Sequence, residues 1–352
     1  MLKSAILFTL LSLPAVAATA QNSRPCLVAG NIKGLGNKPV VFMYEQKGHQ
    51  HRDTVRAIND RFMYAAPLSD DGTVYLKLVP SRLTTFWSDP GQKVTISGSI
   101  TEPGQIAILG SPDNEVLTRF NRQIGWRFDQ RRAAHPDSAD ALQQLAQRST
   151  LAFIKAHPRS RTSADLLYSE TRLDEKPLAE YELLLRSMSA SVQAGPQGQK
   201  VARRLQAIRN QPTVGRPAPA FTMPDTAGVA VSLDRFKGQY VLLDFWGHWC
   251  GPCISAMPQL KQMQAQYGQQ LAVVGIGMEH ADSKQLWLNA IRKHRATWTQ
   301  LSELNTDKGT IEEYNIKGFP SYLLLDKQGV VLEQSHKLEP IEERLKILLP
   351  KP

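Results

Sequence analysis

The chain has 352 residues, 42% hydrophobic and 21% charged, a balance that excludes both a disordered chain and a membrane class. That length is too great for one core and implies two or three units. The formal net charge of +10 is unevenly spread: 27 Lys and Arg stand against 18 Asp and Glu in the first 213 residues, and 15 against 14 from Val214 onward. The excess falls on arginines such as Arg119, Arg122, Arg131 and Arg132, expected on solvated helix faces, and no basic stretch interleaves with aromatics, so nucleic acid is not an expected partner.

Residues 1–20 have the form of a cleaved signal peptide. Lys3 supplies the positive start, Ala5 to Leu13 an apolar run too short to span a bilayer, and Ala18-Thr19-Ala20 a small-x-small cleavage site. The expected location is the periplasm, with no transmembrane span after cleavage near Ala20. Lipid anchoring at Cys26 is disfavoured because Ser23-Arg24-Pro25 does not fit a lipobox. Cys26 is then a small buried residue or a free thiol able to pair between chains.

Residues 21–111 read as a small all-β domain. Short runs (LVAGNI, PVVFMY, RFMYAAP, TVYLKLV, QKVTISG, QIAILG) alternate with turns at Gly34-Leu35-Gly36-Asn37, Asp70-Asp71-Gly72, Asp89-Pro90-Gly91 and Pro103-Gly104. From 112 to 212 the apolar period becomes helical, as in Leu142, Leu145, Leu151 and Ile154, and predicts a helical connector region. Breaks are expected near His135-Pro136, His157-Pro158-Arg159-Ser160 and Gly195-Pro196-Gln197-Gly198. Residues 213–352 form the last domain, where strands YVLLDFW, LAVVGIG, SYLLLD and VVLEQ alternate with helices from Cys253 to Gln266, Ser283 to His294 and Pro340 to Leu349. The pattern is βαβ followed by ββα around a central sheet buried on both faces.

Three cysteines in an exported chain suggest a redox couple and one leftover. Cys250-Gly251-Pro252-Cys253 spans the junction of a strand and a helix. There the helix's unpaired N–H groups favour a thiolate on Cys250, lowering its pKa from about 8.5 toward about 7. Cys250 is the expected attacking nucleophile, exposed, and Cys253, one turn inward and shielded, the resolving thiol. Half a zinc site is the other reading of this spacing, but no second C-x-x-C and no suitably spaced histidine pair exists, so neither metal nor cofactor is called for.

The string Phe245-Trp246-Gly247-His248-Trp249-Cys250-Gly251-Pro252-Cys253 closely resembles the thioredoxin active site. Together with Gly215-Arg216-Pro217-Ala218-Pro219-Ala220-Phe221, Pro258 and Lys317-Gly318-Phe319-Pro320, it makes residues 213 to 349 resemble the exported TlpA/ResA-like thioredoxins, which are grouped with the alkyl hydroperoxide reductase/thiol-specific antioxidant family. Asp225 to Leu233 resembles the hairpin that precedes their core. The first 110 residues resemble the small β domain, of unassigned function, that often precedes them, including an Asp53-Thr54 and Arg61-Phe62 strand pair. The stretch HPRSRTSADLL resembles a recurring feature of the group. The resemblance implies a multi-domain protein ending in an α/β thioredoxin fold.

It also implies roles for single residues. Pro320 matches the cis-proline facing the cysteines, with a plain turn proline as the alternative, and Phe319 would offer main-chain groups to a substrate strand. Trp249, Gly251 and Pro252 join these two on the expected substrate-binding surface. Asp244 stands where thioredoxins bury an acid behind the second cysteine, so it is either the proton acceptor for Cys253 or a satisfied structural aspartate. Ala256 occupies the position where TlpA/ResA-like relatives usually carry a glutamate, which leaves proton management to Asp244 and weakens a cytochrome-maturation role. His248 either tunes Cys250 or is an ordinary loop histidine.

The expected activity is thiol:disulfide exchange, as a reductase of exported protein disulfides fed by a membrane electron donor. The Gly-Pro dipeptide favours that direction, since thioredoxin with the same pair sits at roughly −270 mV. An oxidase or isomerase of exported thiols, or a client-recruiting module with secondary redox activity, are the alternatives. A peroxidase is disfavoured because Gly247 stands where a peroxiredoxin needs Thr.

Overall fold

The computed structural model describes residues 24–79, 82–173, 177–304 and 309–349; the expected signal peptide lies outside them. The chain divides into two compact units, with the boundary between Ser111 and Pro112. Among the described residues no helix is long and apolar enough to cross a membrane.

The first unit is built from β1 (Cys26–Lys33), β2 (Pro39–Gln46), β3 (His49–Arg56), β4 (Arg61–Ala66), β5 (Thr73–Val79), β6 (Arg82–Trp87), β7 (Lys93–Ser99) and β8 (Ala107–Leu109). These form two four-stranded sheets, β4-β1-β7-β8 and β3-β2-β5-β6. Strict alternation along β1 turns Cys26, Val28 and Ile32 inward, where they share one core with Phe42 of β2, Leu76 of β5 and Phe86 of β6. Cys26 is buried, and burial pushes its thiol up to about 11, which keeps it protonated at neutral pH.

Two strands go beyond the apolar runs of the sequence. β3 has the sequence HQHRDTVR and is mostly exposed, so no apolar alternation announces it; it is held by pairing along the whole of β2. β6 is the other. The expected strand pair of Asp53-Thr54 with Arg61-Phe62 is corrected: β3 pairs with β2 and β4 pairs with β1, in different sheets. A side chain joins the two segments instead. Asp53 Oδ2 accepts from Tyr44 of β2 at 3.2 Å and from Tyr64 of β4.

Among the described residues the second unit opens with seven α-helices: α1 (Pro112–Phe120), α2 (Trp126–Ala134), α3 (Ala139–Ala156), α4 (Arg161–Leu173), α5 (Leu178–Ser187), α6 (Ala190–Ala194) and α7 (Pro196–Asn210). A π turn at Asn121–Gly125 links the first two. Leu151, Ile154, Leu167, Tyr181, Leu184, Val201 and Leu205 make a core of their own. The helices nevertheless belong to one unit with residues 213–349: α7 packs against α10 (Thr310–Glu313), and Asn315 donates to the Gln211 side chain.

The rest of the unit is the expected α/β thioredoxin fold. After the hairpin β9 (Thr222–Pro224) and β10 (Ala230–Ser232) come β11 (Tyr240–Trp246), α8 (Gly251–Tyr267), β12 (Leu271–Gly277), α9 (Lys284–His294), β13 (Thr299–Leu301), α10, β14 (Ser321–Leu325), β15 (Val331–Ser335) and α11 (Leu338–Leu348). The sheet order is β13-β12-β11-β14-β15, with β11, β12 and β13 parallel and β14 antiparallel to β11. The three-residue β13 is an addition to the expected pattern. Central β11 is covered on both sides, and its parity separates two cores: Leu242 and Trp246 face Met257, Leu260 and Ile341, while Val241, Leu243 and Phe245 face Phe221, Val231 and Ile311.

Candidate active site

β11 delivers the chain to the site and α8 receives it. Between them Cys250 N–H donates to Gly247 O at 3.0 Å, closing a four-residue turn with His248 and Trp249 at its centre. Gly247 is required here by space: a Cβ would lie 2.7 Å from the Trp249 indole that folds over it. α8 begins at Gly251, two residues before the expected start, because Cys250 itself is the N-cap and its Sγ accepts from Cys253 N–H at 3.3 Å. Gly251 and Pro252 fill the first two helical positions, where a missing proline N–H costs nothing.

Cys250 and Cys253 are joined as a disulfide with Cα atoms 5.3 Å apart. The expectation that only the first cysteine is open to solvent is not met in this closed state: Cys250 is 4% exposed and Cys253 2%. Phe319 packs against the buried cluster that holds both cysteines and meets the 55% exposed Trp249 edge to face at 5.5 Å. What distinguishes the two sulfurs is the helix end, which places Cys250 at the cap among the N–H groups and Cys253 one turn inside.

Asp244 is buried on the face of β11 that it shares with Leu242 and Trp246, the same face that Cys253 packs on. Its Oδ1 has no hydrogen-bond partner, and loss of hydration pushes its carboxyl up to about 8. The strand register sets Asp244 in one row with Tyr322, Gly275 and Gln300. Gly275 is a space requirement too: a Cβ would lie 2.3 Å from Gln300 Oε1, which crosses that gap to accept from Trp246 Nε1 at 3.0 Å. Tyr322 Oη is buried without a partner, and burial, with Asp244 beside it, raises its pKa far above the usual phenol range. No acid stands at position 256, which is Ala256.

The Phe319–Pro320 peptide is cis and precedes β14. Its segment is tied to its surroundings. His336 Nδ1 donates to Pro320 O at 2.8 Å, and Ser321 Oγ donates to Gly318 O at 2.8 Å. His336 was not singled out by sequence, because only the pairing of β14 with β15 brings it to the proline. The same holds for Glu279, just beyond β12, whose enclosed carboxylate reaches His248 across 31 positions of sequence.

The AhpC/TSA family profile matches residues 214–334. The thioredoxin-like protein YneN of Bacillus subtilis is 33% identical over 118 residues, covering 33% of this chain and 68% of that protein. The thiol-disulfide oxidoreductase ResA of Bacillus thuringiensis subsp. konkukian is 29% identical over 143 residues, covering 39% of this chain and 79% of ResA. Among solved structures, a thiol-disulfide oxidoreductase from Bacteroides fragilis is 30% identical, covering 38% of this chain and 100% of its own, with a TM-score of 0.36. The chain belongs to the AhpC/TSA family, among its thioredoxin-like, ResA-related members. It is a thiol–disulfide oxidoreductase.

Proposed function

We propose that this oxidoreductase works in the periplasm as a reductase of disulfides in exported proteins, recharged by a membrane electron donor. The observation that carries the reading is the Cys250–Cys253 pair at the amino end of α8 with Asp244 buried, unpaired at Oδ1, on the face of β11 behind it.

In the reduced protein the Cys250 thiolate attacks one sulfur of a client disulfide. A Cys250–client bond forms, and the other client sulfur leaves as a thiolate and takes a proton. Cys253 then gives its proton to Asp244, whose raised pKa suits it to accept near neutrality, and attacks Cys250 Sγ, releasing the second client thiolate. The client gains two electrons, and the Cys250–Cys253 disulfide of the present structure is the product. Trp249, Gly251, Pro252 and Phe319–Pro320 would frame the client segment, with the Phe319 main chain pairing to it as an added strand.

The test is mechanism-based trapping. Cys253→Ser should accumulate clients on Cys250 as mixed disulfides and perform one stoichiometric attack, while Cys250→Ser should lose insulin-disulfide reduction altogether. Equal alkylation of both thiols in the folded, reduced protein, or the absence of any Cys250-dependent adduct, would contradict this order of events. A reduction potential near about −120 mV, that of a strong oxidant, would reverse the proposed direction.

A further inference from the structure

The carboxylate of Glu279 takes no part in the exchange reaction, yet it is fully enclosed while the His248 side chain is 22% exposed. Three donors converge on it. Oε1 accepts from His248 N–H at 2.7 Å, and Oε2 accepts from His248 Nδ1 at 2.6 Å and from Ser283 Oγ at 2.9 Å. Because an ionised carboxylate only accepts, Nδ1 carries the proton on that side and Nε2 is the nitrogen turned away from Glu279. His248 is one of the two central residues of the turn that ends on the nucleophile, and Glu279 grips both its backbone and its ring.

We propose that Glu279 is a positioning residue for Cys250: it locks His248 into the Gly247–Cys250 turn, and the Glu279–His248 pair sets the reactivity of the Cys250 thiolate. The inference rests on the reading of Cys250 as the attacking sulfur. A burial as complete as that of Glu279 is costly unless its acceptors are filled, and here they are filled mainly by one residue two positions from the reacting atom. The grip fixes the imidazole within two residues of the cap position, and a cation held near a cysteine favours thiolate over thiol. With a freely rotating histidine that charge would spend its time in water.

The competing role for Glu279 is to satisfy the His248 N–H and nothing more. The two roles separate when the ring is removed, because His248→Ala keeps the backbone donor. On the segments around His248 the other titratable groups are His280 and Asp282 beyond Glu279, Lys317 before the cis peptide, and Cys250 itself. All of these residues are the same in every variant compared.

The experiment uses the full reduced chain carrying Cys253→Ser. Iodoacetamide alkylation of Cys250 is followed by peptide mass from pH 5 to 9, in that background and with E279Q, H248A or both. Each single substitution should move the midpoint of the profile upward by about one pH unit, a roughly tenfold slower reaction below the midpoint, and the double substitution should move it no further. An unmoved midpoint in E279Q overturns the proposal, as does an E279Q shift that persists at full size in the H248A background. If E279Q does not fold by circular dichroism, H248A decides alone, and an unmoved midpoint there is fatal. Failure of the underlying reading has a different signature: the Cys253→Ser parent would form no mixed disulfide through Cys250 at any pH.

Discussion

The two sheet-built regions solve burial in opposite ways. The core between the sheets of the first unit is largely hydrocarbon and aromatic: Phe42 lies against Tyr64 at 4.0 Å and meets Phe62 and Phe86 edge to face at 6.0 and 6.4 Å, and Asp53 caps its edge by accepting from the hydroxyls of Tyr44 and Tyr64. The thioredoxin-fold sheet instead buries Asp244, Gln300 and Tyr322, and each keeps a polar atom without a partner. An unpaired buried polar atom opposes folding, so a core that keeps several of them on the face behind the disulfide is giving up stability beside the proposed redox site. The first region is organised for packing and the second for reactivity.

That contrast can be broken most forcefully in the first core. Phe42→Ala should cost about 3–5 kcal/mol, the usual range for an aromatic removed from a packed interior. Hydrogen exchange should show the loss in residues 26–109, while insulin reduction by the folded variant keeps its rate. A parallel fall in rate would mean that the first unit supports the redox site.

Asp244→Asn inverts the trade. Resolution of the mixed disulfide should slow by about 10²-fold, the low end for a lost acid–base group, while the first attack survives. Stability should move the other way. With the folded carboxyl held at about 8, far above its unfolded value, the folded chain keeps a proton that the unfolded chain has released. The favourable contribution is therefore fully present below about pH 4 and is lost as pH rises to about 8, at up to about 1.4 kcal/mol per unit. Urea midpoints of the oxidised protein should fall over that window and lose the slope in the Asn variant. An unchanged slope, or normal turnover from pH 6 to 8, would make Asp244 a satisfied structural residue.

The smallest expected effect sharpens the contrast at its edge. His336→Ala removes one hydrogen bond to Pro320 O, worth about 1 kcal/mol, and should raise KM for a disulfide client roughly fivefold with kcat retained. A drop in kcat with KM unchanged would assign His336 to chemistry rather than to the shape of the client groove.

Patterns local in the chain were legible without coordinates. YVLLDFW and LAVVGIG are the strands β11 and β12 to the residue, since short, mostly apolar runs of seven bounded by turn signals fit strands of a central sheet buried on both faces. Cys250 and Cys253 were legible for the same reason, as spacing and helix position act within one turn of chain. Polar β3 left no apolar signal, and only the family resemblance put Asp53-Thr54 on a strand, because its stability comes from the hydrogen-bond ladder with β2 and not from any apolar face of its own. The start of α8 was missed by two residues because the cap is a cysteine sulfur. Glu279 and His336 read as ordinary loop residues, and only chain crossings 31 and 16 positions long set one on His248 and the other on Pro320. Sequence thus determined which two sulfurs could pair, because that depends on residue type and a three-residue spacing. Tertiary structure alone decided which enclosed groups surround them, because desolvation and hydrogen-bond partnership are properties of neighbours that the chain brings together only when it folds.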